Sequence, residues 1–229
     1  MHSEKQYIDL YRECREQICA HSAAPLNAVR DAAFEQFERQ GFPSRKVERY
    51  KYTSVDELFA PDYGVNVNRL EIPVDPYKAF RCDVPNLSTS LYFIVNDQFR
   101  AALQPKENLP EGVVVDSLAA YAQANPQFVA DHYAQLAHAD EDGITALNTM
   151  LAQDGLLVYV KRGVKVDRTI QVINILRSDV PLMVNRRVLI VMEEGAEAKL
   201  LLCDHAADGR ECLATQVIEA YVGRNASLD

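Results

Sequence analysis

Residues 143–176 read GITALNTMLAQDGLLVYVKRGVKVDRTIQVINIL. The pattern predicts a short helix, Ile144–Ala152, that feeds a strand at Leu156–Val160. After a turn at Arg162-Gly163 it predicts a second strand at Ile170–Leu176. Val, Ile and Leu dominate both strands, as they do in buried pleated segments. The same composition continues to the last residue. Val184–Met192, Ala198–Cys203 and Ala214–Val222 are further β-rich runs, punctuated by Glu194-Gly195 and Arg224-Asn225.

The punctuation repeats. Gly163-Val164-Lys165-Val166, Gly195-Ala196-Glu197-Ala198 and Asn225-Ala226-Ser227-Leu228 each run turn residue, small or apolar, polar, apolar, at spacings of 32 and 30 residues. Gly and Asn tolerate the left-handed backbone angles of such turns. Strands recurring at this period without intervening helices fit the stacked coils of a β-solenoid. They fit a β-sandwich of evenly spaced strands as well. The third copy starts at Asn225 and has no capping coil behind it, so a longer protein is expected to continue past Asp229.

Residues 1–142 have another character. Ser3 and Gln6 have capping-box spacing, and Tyr7, Tyr11, Cys14 and Ile18 line one helical face. A second helix is predicted from Pro25 to Gln40, with Leu26, Val29, Ala33 and Phe37 as its stripe and Gly41 as its stop, packed on the first as a hairpin. Prolines at 61, 73, 76, 85, 105 and 110 exclude a long helix between residues 60 and 112. Leu91–Val95 and Phe99–Leu103 flank Asn96-Asp97 as a β-hairpin, and 113–115 add a third strand. Asp116 is the predicted cap of a helix through Ala124, and Asn125-Pro126 starts another. The acidic loop ending at Gly143 sets a boundary: a helical α+β domain over 1–142, and a β-rich domain over 143–229.

Hydrophobic content of 48% and charged content of 25% are those of a soluble globular chain. A net charge of −9 argues against nucleic acid and anionic membrane surfaces as partners. No apolar run is long enough to span a bilayer, and the N-terminus lacks a signal-peptide core, so the expected location is cytoplasmic. The five cysteines, Cys14, Cys19, Cys82, Cys203 and Cys212, form no CxxC pair.

The most metal-like group is Cys203-Asp204-His205. On a strand Cys203 and His205 share a face, and Cys212 follows after the loop AADGRE. Thiolate and imidazole suit iron or zinc, while the same residues equally fit a strand end with a packed Cys and a solvated His. Cys14 with Cys19, and His132 with His138, do not share helical faces. Glu193-Glu194 and Asp140-Glu141-Asp142 read as solvated acidic turns. No nucleophile elbow, phosphate loop or dinucleotide fingerprint occurs, so no catalytic, cofactor-binding or metal residue is assigned. Residues 41–59 interleave Arg45, Lys46, Arg49 and Lys51 with Tyr50 and Tyr52. This is either a phosphate or nucleic-acid surface, or a turn whose tyrosines pack while its charges face water.

The stretch FPSRKVERYKYTSV at 42–55 resembles the FPTRKxExWKYT signature of SufD-type members of the SufB/SufD family of iron–sulfur cluster assembly scaffolds. TALNTMLAQDGLLVYVKRGVKVDRTIQVINIL at 145–176 is similar to the start of that family's shared core, and RRVLIVMEEGAEAKLLLCDH at 186–205 to its next coil. Tyr50 stands where the signature has Trp, and Thr169 where the family often has Pro. The resemblance implies an α+β N-terminal domain followed by the first coils of a right-handed parallel β-helix. It implies a non-catalytic scaffold, with SufB-like and SufC-like subunits as partners of the full-length protein and a homodimer as the other pairing. The iron–sulfur cluster would be handled by the whole complex, with no cofactor bound by this segment. The family's partner-binding and metal-site residues lie further along than Asp229, so none is carried over. The contrasting reading is a stand-alone β-solenoid metalloenzyme using Cys203 and His205.

Overall fold

The computed structural model describes residues 3–79, 89–103, 109–206 and 209–229; Cys82, Pro85 and Pro105 lie outside them. The chain opens with α1 (Glu4–Ala20), which buries Tyr7, Tyr11 and Ile18 from the predicted stripe. Ser3 is not a capping-box residue. Its backbone N–H and its hydroxyl both donate to Asp56 Oδ1, at 3.0 and 2.5 Å.

The second helix is broken in two, α2 (Ala24–Asn27) and α3 (Arg30–Gln40), with turn residues at Ala28 and Val29. The break aims the Arg30 guanidinium inward, where it is fully buried. Arg30 Nη1 donates to the carbonyl of Met150 at 3.1 Å, and Nη2 to Ser22 Oγ at 2.8 Å. The acceptor Met150 sits in the last turn of a later helix, where a cation satisfies orphan carbonyls and the negative end of the helix dipole. Gly41 ends α3 at φ +61.

A 3-10 turn at Glu48–Tyr50, α4 (Val55–Phe59), β1 (Gly64–Val65) and α5 (Pro76–Ala79) follow. Phe42 and Phe59 pack on Tyr7, with ring centroids 5.9 and 5.8 Å from it, in an aromatic core shared with Phe37. Next come β2 (Thr89–Val95), β3 (Gln98–Phe99), β4 (Val113–Ser117), α6 (Leu118–Ala124) and α7 (Pro126–Ala130). The hairpin turn is at Asn96, φ +59, but its second arm is short because Ala101–Leu103 winds into a 3-10 turn. The cap of α6 is Ser117, whose hydroxyl accepts from the N–H of Ala120, rather than Asp116.

The helix α8 (Gly143–Leu151) is capped by Asp142, which accepts from the N–H groups of Ile144 and Thr145. It leads into β5 (Gly155–Val160), β6 (Thr169–Leu176), β7 (Leu182–Met192), β8 (Glu197–Ala198), β9 (Leu200–Ala206), β10 (Cys212–Val222) and β11 (Ser227–Leu228). One sheet runs β1-β7-β5-β4 with β10 on the other edge of β7; a second runs β3-β2-β6-β9; a third pairs β8 with β11. Gly155 pairs with Arg187 and Arg187 with Val217, so the 32- and 30-residue spacings of the sequence are the register offsets of parallel neighbours. At the turns the Gly163 N–H donates to Glu194 O and the Gly195 N–H to Arg224 O, each at 2.9 Å. Leu156 and Val158 of β5, Val188 and Ile190 of β7, Ile170 and Val172 of β6 and Ile94 of β2 meet in one core between the sheets.

The expected right-handed parallel β-helix is corrected by this topology. The fold is a mixed α/β arrangement whose two larger sheets are mixed. β4 runs antiparallel to β5 from Val113↔Val160 to Ser117↔Leu156, and β3 runs antiparallel to β2. The described strands form three separate sheets, and no closed solenoid coil appears among them. The physical reason lies in the first 117 residues. The tight turn at Asn96-Asp97 folds β3 straight back on β2, and β4 offers its Val-rich edge to β5. A repeat within residues 163–228 reports only the neighbours that share it. It carries no information about partners drawn from elsewhere in the chain.

Candidate functional site

The residues proposed as metal ligands are not brought together. Cys203 lies on the outward side of β9 and packs against Phe93, Ile173 and Ile175. Its Sγ accepts from Gln171 Nε2 at 3.6 Å. His205 is half-buried two residues on, whereas Cys212 opens β10 in a different sheet. Part of the loop between them, residues 207–208, is outside the described residues. Among the described residues no group of three or more His, Cys, Asp and Glu is placed to hold a metal ion.

Two other flagged residues, His132 and Glu193, have structural partners. The His132 ring sits 4.7 Å from both Phe128 and Tyr221. Glu193 accepts the Tyr159 hydroxyl at 2.6 Å and the Arg162 N–H at 2.8 Å. These donors hold its carboxyl below the usual range, while burial with the Glu193 contact pushes Tyr159 up to about 12.

Adjacent arginines in a strand that is apolar apart from them and Asn185, LMVNRRVLIVM, point to opposite faces of β7. Arg187 points outward and is buried under α8 and the 131–137 loop. Its Nη2 donates to Glu219 Oε2 at 2.7 Å and its Nη1 to Thr149 Oγ1 at 3.2 Å. The Tyr133 ring lies 4.6 Å from the guanidinium. The Glu219 carboxylate also accepts from the backbone N–H groups of Ala134, Leu136 and Ala137, at 2.9, 2.9 and 3.2 Å. Asn148, Thr215 and Asn185 extend the polar layer, with Asn148 Nδ2 donating to Thr215 Oγ1 at 2.8 Å and Thr215 Oγ1 to Asn185 Oδ1 at 2.7 Å. This buried network locks β7, β10, α8 and the loop into one arrangement.

Arg186 points inward. Its Nη1 is 2.7 Å from Asp204 Oδ1, with the arginine buried and the aspartate half-exposed. Nearby, Arg69 Nη1 is 2.7 Å from Asp97 Oδ1, and Arg69 Nη2 is 3.7 Å from Asp154. Neither close contact makes a well-aimed hydrogen bond: Arg186 Nη1, Arg69 Nη1 and Asp97 Oδ1 have none, nor do Asn174 Nδ2 and Gln216 Oε1. Burial raises the Asp97 carboxyl, Arg69 pulls it back, and Asp154 raises it further. The sequence reading missed both arginine sites. The available signal was charge inside β-rich runs.

The signature segment 42–55 is fastened to the start of α8. The Tyr50 hydroxyl donates to Asp142 Oδ2 at 2.6 Å, and Arg49 lies 3.6 Å from the same carboxylate. Burial and this partner push Tyr50 up to about 12. Gly143 is required here, because a Cβ at that position would lie 1.9 Å from the carbonyl oxygen of Gly41. A groove of about 360 Å³ runs alongside, walled by Phe42, Pro43, Val47, Arg49 and Glu141.

With a basic, tyrosine-bearing segment locked to the helix that enters the β-rich half, comparison with known proteins is specific. Residues 1–172 match the family described as SufBD protein N-terminal region, and the chain belongs to that family. Over 230 aligned positions it is 22% identical to the iron–sulfur cluster assembly protein SufD of Bacillus subtilis (strain 168), an alignment covering 98% of this chain and 51% of that protein. The chain spans about half the length of this relative. No helix among the described residues is long and apolar enough to cross a membrane.

Proposed function

We propose that this chain is a SufD-like component of a Suf iron–sulfur cluster assembly apparatus, and that it acts as a scaffold rather than a catalyst. The match of residues 1–172 to the SufBD N-terminal region carries the reading. The similarity to B. subtilis SufD along 98% of the chain supports it. The partners of the full-length protein are a SufB-like subunit and a SufC-like ATPase, with a homodimer as the other pairing, and the cluster is cargo of the complex. Residues 1–142 form the flanking helical part and residues 143–229 the repeat-bearing part.

The physical chemistry of the chain suits a rigid platform. Its buried charges are spent on fastening elements together, as Arg30 does at α8 and Glu219 at the 131–137 loop. The metalloenzyme alternative has no observation in its favour, since Cys203 serves a packing cluster. Deleting the gene in its source organism tests the reading. Iron–sulfur enzyme activities in extracts should fall and return when the gene is restored. Unchanged activities under iron limitation and oxidative stress would argue against it.

A further inference from the structure

A polar layer lies between the two larger sheets and draws on both. In one sheet Arg186 of β7 stands opposite Gln216 of β10, and register partners in parallel strands share a face. In the other, Asn174 of β6 stands opposite Asp204 of β9. Asn174 continues the inward row of Ile170 and Val172, just as Arg186 begins the row of Val188 and Ile190. The 2.7 Å contact of Arg186 Nη1 with Asp204 Oδ1 crosses from sheet to sheet. Arg69, Asp97 and Asp154 adjoin this group, and Arg186 is near enough to Asp97 to act on its carboxyl.

The layer is buried and incompletely paired. Arg186 and Asn174 are 2% and 1% exposed. Among the described residues no protein group hydrogen-bonds with Arg186 Nε, Asn174 Nδ2 or Gln216 Oε1. Asp154, by contrast, accepts from the Ser117 hydroxyl at 2.8 Å and the Ala119 N–H at 3.0 Å. A buried polar atom that gives up its hydrogen bond to water and gains none in return opposes folding. Such atoms are therefore met by protein or by ordered solvent.

We propose that this layer is an internal hydration site, in which ordered water molecules accept from Arg186 Nε and Asn174 Nδ2 and donate to Gln216 Oε1. The chemistry of the layer selects the occupant. Unmet donors and an unmet acceptor share one layer, and water serves both. An anion would face the carboxylates of Asp97, Asp154 and Asp204, and a cation the guanidiniums of Arg69 and Arg186. An apolar molecule would leave the same atoms unpartnered. The Asp204 side chain, 54% exposed, marks the side on which the layer reaches solvent.

Two measurements on the whole chain in solution test the site. The first is magnetic cross-relaxation between water and the side-chain N–H groups of Asn174 and Arg186. Long-lived water gives laboratory-frame and rotating-frame rates of opposite sign, whereas proton exchange gives the same sign. The proposal predicts opposite signs at both groups. The second is oxygen-17 relaxation dispersion, which counts long-lived waters. Asn174→Leu and Gln216→Met should each lower its amplitude by about one water or more, and Gln127→Met, at an exposed position on α7, should leave it unchanged. Same-sign or undetectable cross-relaxation at both groups would overturn the proposal, and this readout needs no variant to fold. Unchanged dispersion in folded Asn174→Leu and Gln216→Met would overturn it as well. The proposal rests on the geometry between the sheets, so it stands or falls apart from the proposed function.

Discussion

Arg187 Nη2 lies 2.7 Å from Glu219 Oε2, with the two side chains only 1% and 2% exposed. The pair joins neighbouring parallel strands, β7 and β10. Register puts Arg187 opposite Val217, so Glu219 is the next residue along on the same face. Buried pairs of this kind gain little net stability over an apolar pair, yet losing one partner is costly, because the other charge stays behind.

Glu219→Ala should therefore destabilise the chain by about 3–5 kcal/mol, since it strands Arg187 and frees three backbone N–H groups. Arg187→Met should cost less, because the Glu219 carboxylate keeps the N–H groups of Ala134, Leu136 and Ala137. Urea unfolding of both variants checks the order. A larger loss for Arg187→Met would mean that the loop N–H groups do not sustain the carboxylate.

Asp97 sets a pH dependence. Burial raises its carboxyl in the fold above the unfolded value, so the folded state holds this proton more tightly. Its stabilising contribution is complete below the unfolded carboxylate range and is lost as pH rises through the raised folded value. Asp97→Asn cannot ionise. Relative to the parent, the variant should gain stability as pH rises across that window. Parallel stability–pH curves for the two proteins would remove Asp97 as the cause.

Gly143→Ala places a methyl group on the Gly41 carbonyl oxygen, at 1.9 Å without relaxation. Separating the start of α8 from the signature segment should cost about 1–3 kcal/mol or more, as overpacking does. It should also weaken the Tyr50–Asp142 hydrogen bond. Tyrosine titration in the variant should then show one hydroxyl returning from about 12 toward the ordinary value. A variant with unchanged stability and titration would show that the close approach is dispensable.

Cys203 is expected to act as a small packing residue. Cys203→Ala should lower stability by about 1 kcal/mol through lost contact with Phe93, Ile173 and Ile175, and leave the metal content of the purified chain the same. Elemental analysis giving one iron or zinc per chain, removed by this substitution, would revive the metalloenzyme reading.

Local features were legible in the sequence where one segment carries the whole signal. The stripe of Tyr7, Tyr11 and Ile18 reads directly from 3.6-residue periodicity, and the turns at Gly163, Gly195 and Asn225 from backbone chemistry. The pairing registers were present as the 32- and 30-residue repeat. The sheet architecture was legible only in part: the hairpin of β2 and β3 reads from the turn at Asn96-Asp97, but β4 joins β5 through contacts the repeat does not encode. The break before Arg30 was hidden for a similar reason. Its cause is a set of carbonyls 120 residues away at Met150. Of the buried ionic site, only the oddity of two arginines inside β7 was visible. Their partners Glu219 and Asp204 become identifiable once the strand neighbours are known.

The most direct test of the central claim is co-purification. The full natural gene product containing this chain would be co-expressed with the SufB-like and SufC-like subunits of the same genome, then resolved by size-exclusion chromatography with light scattering. A scaffold of the Suf apparatus should elute with both subunits in one complex of defined mass. SufB-like and SufC-like subunits eluting together while this protein runs separately would contradict the assignment.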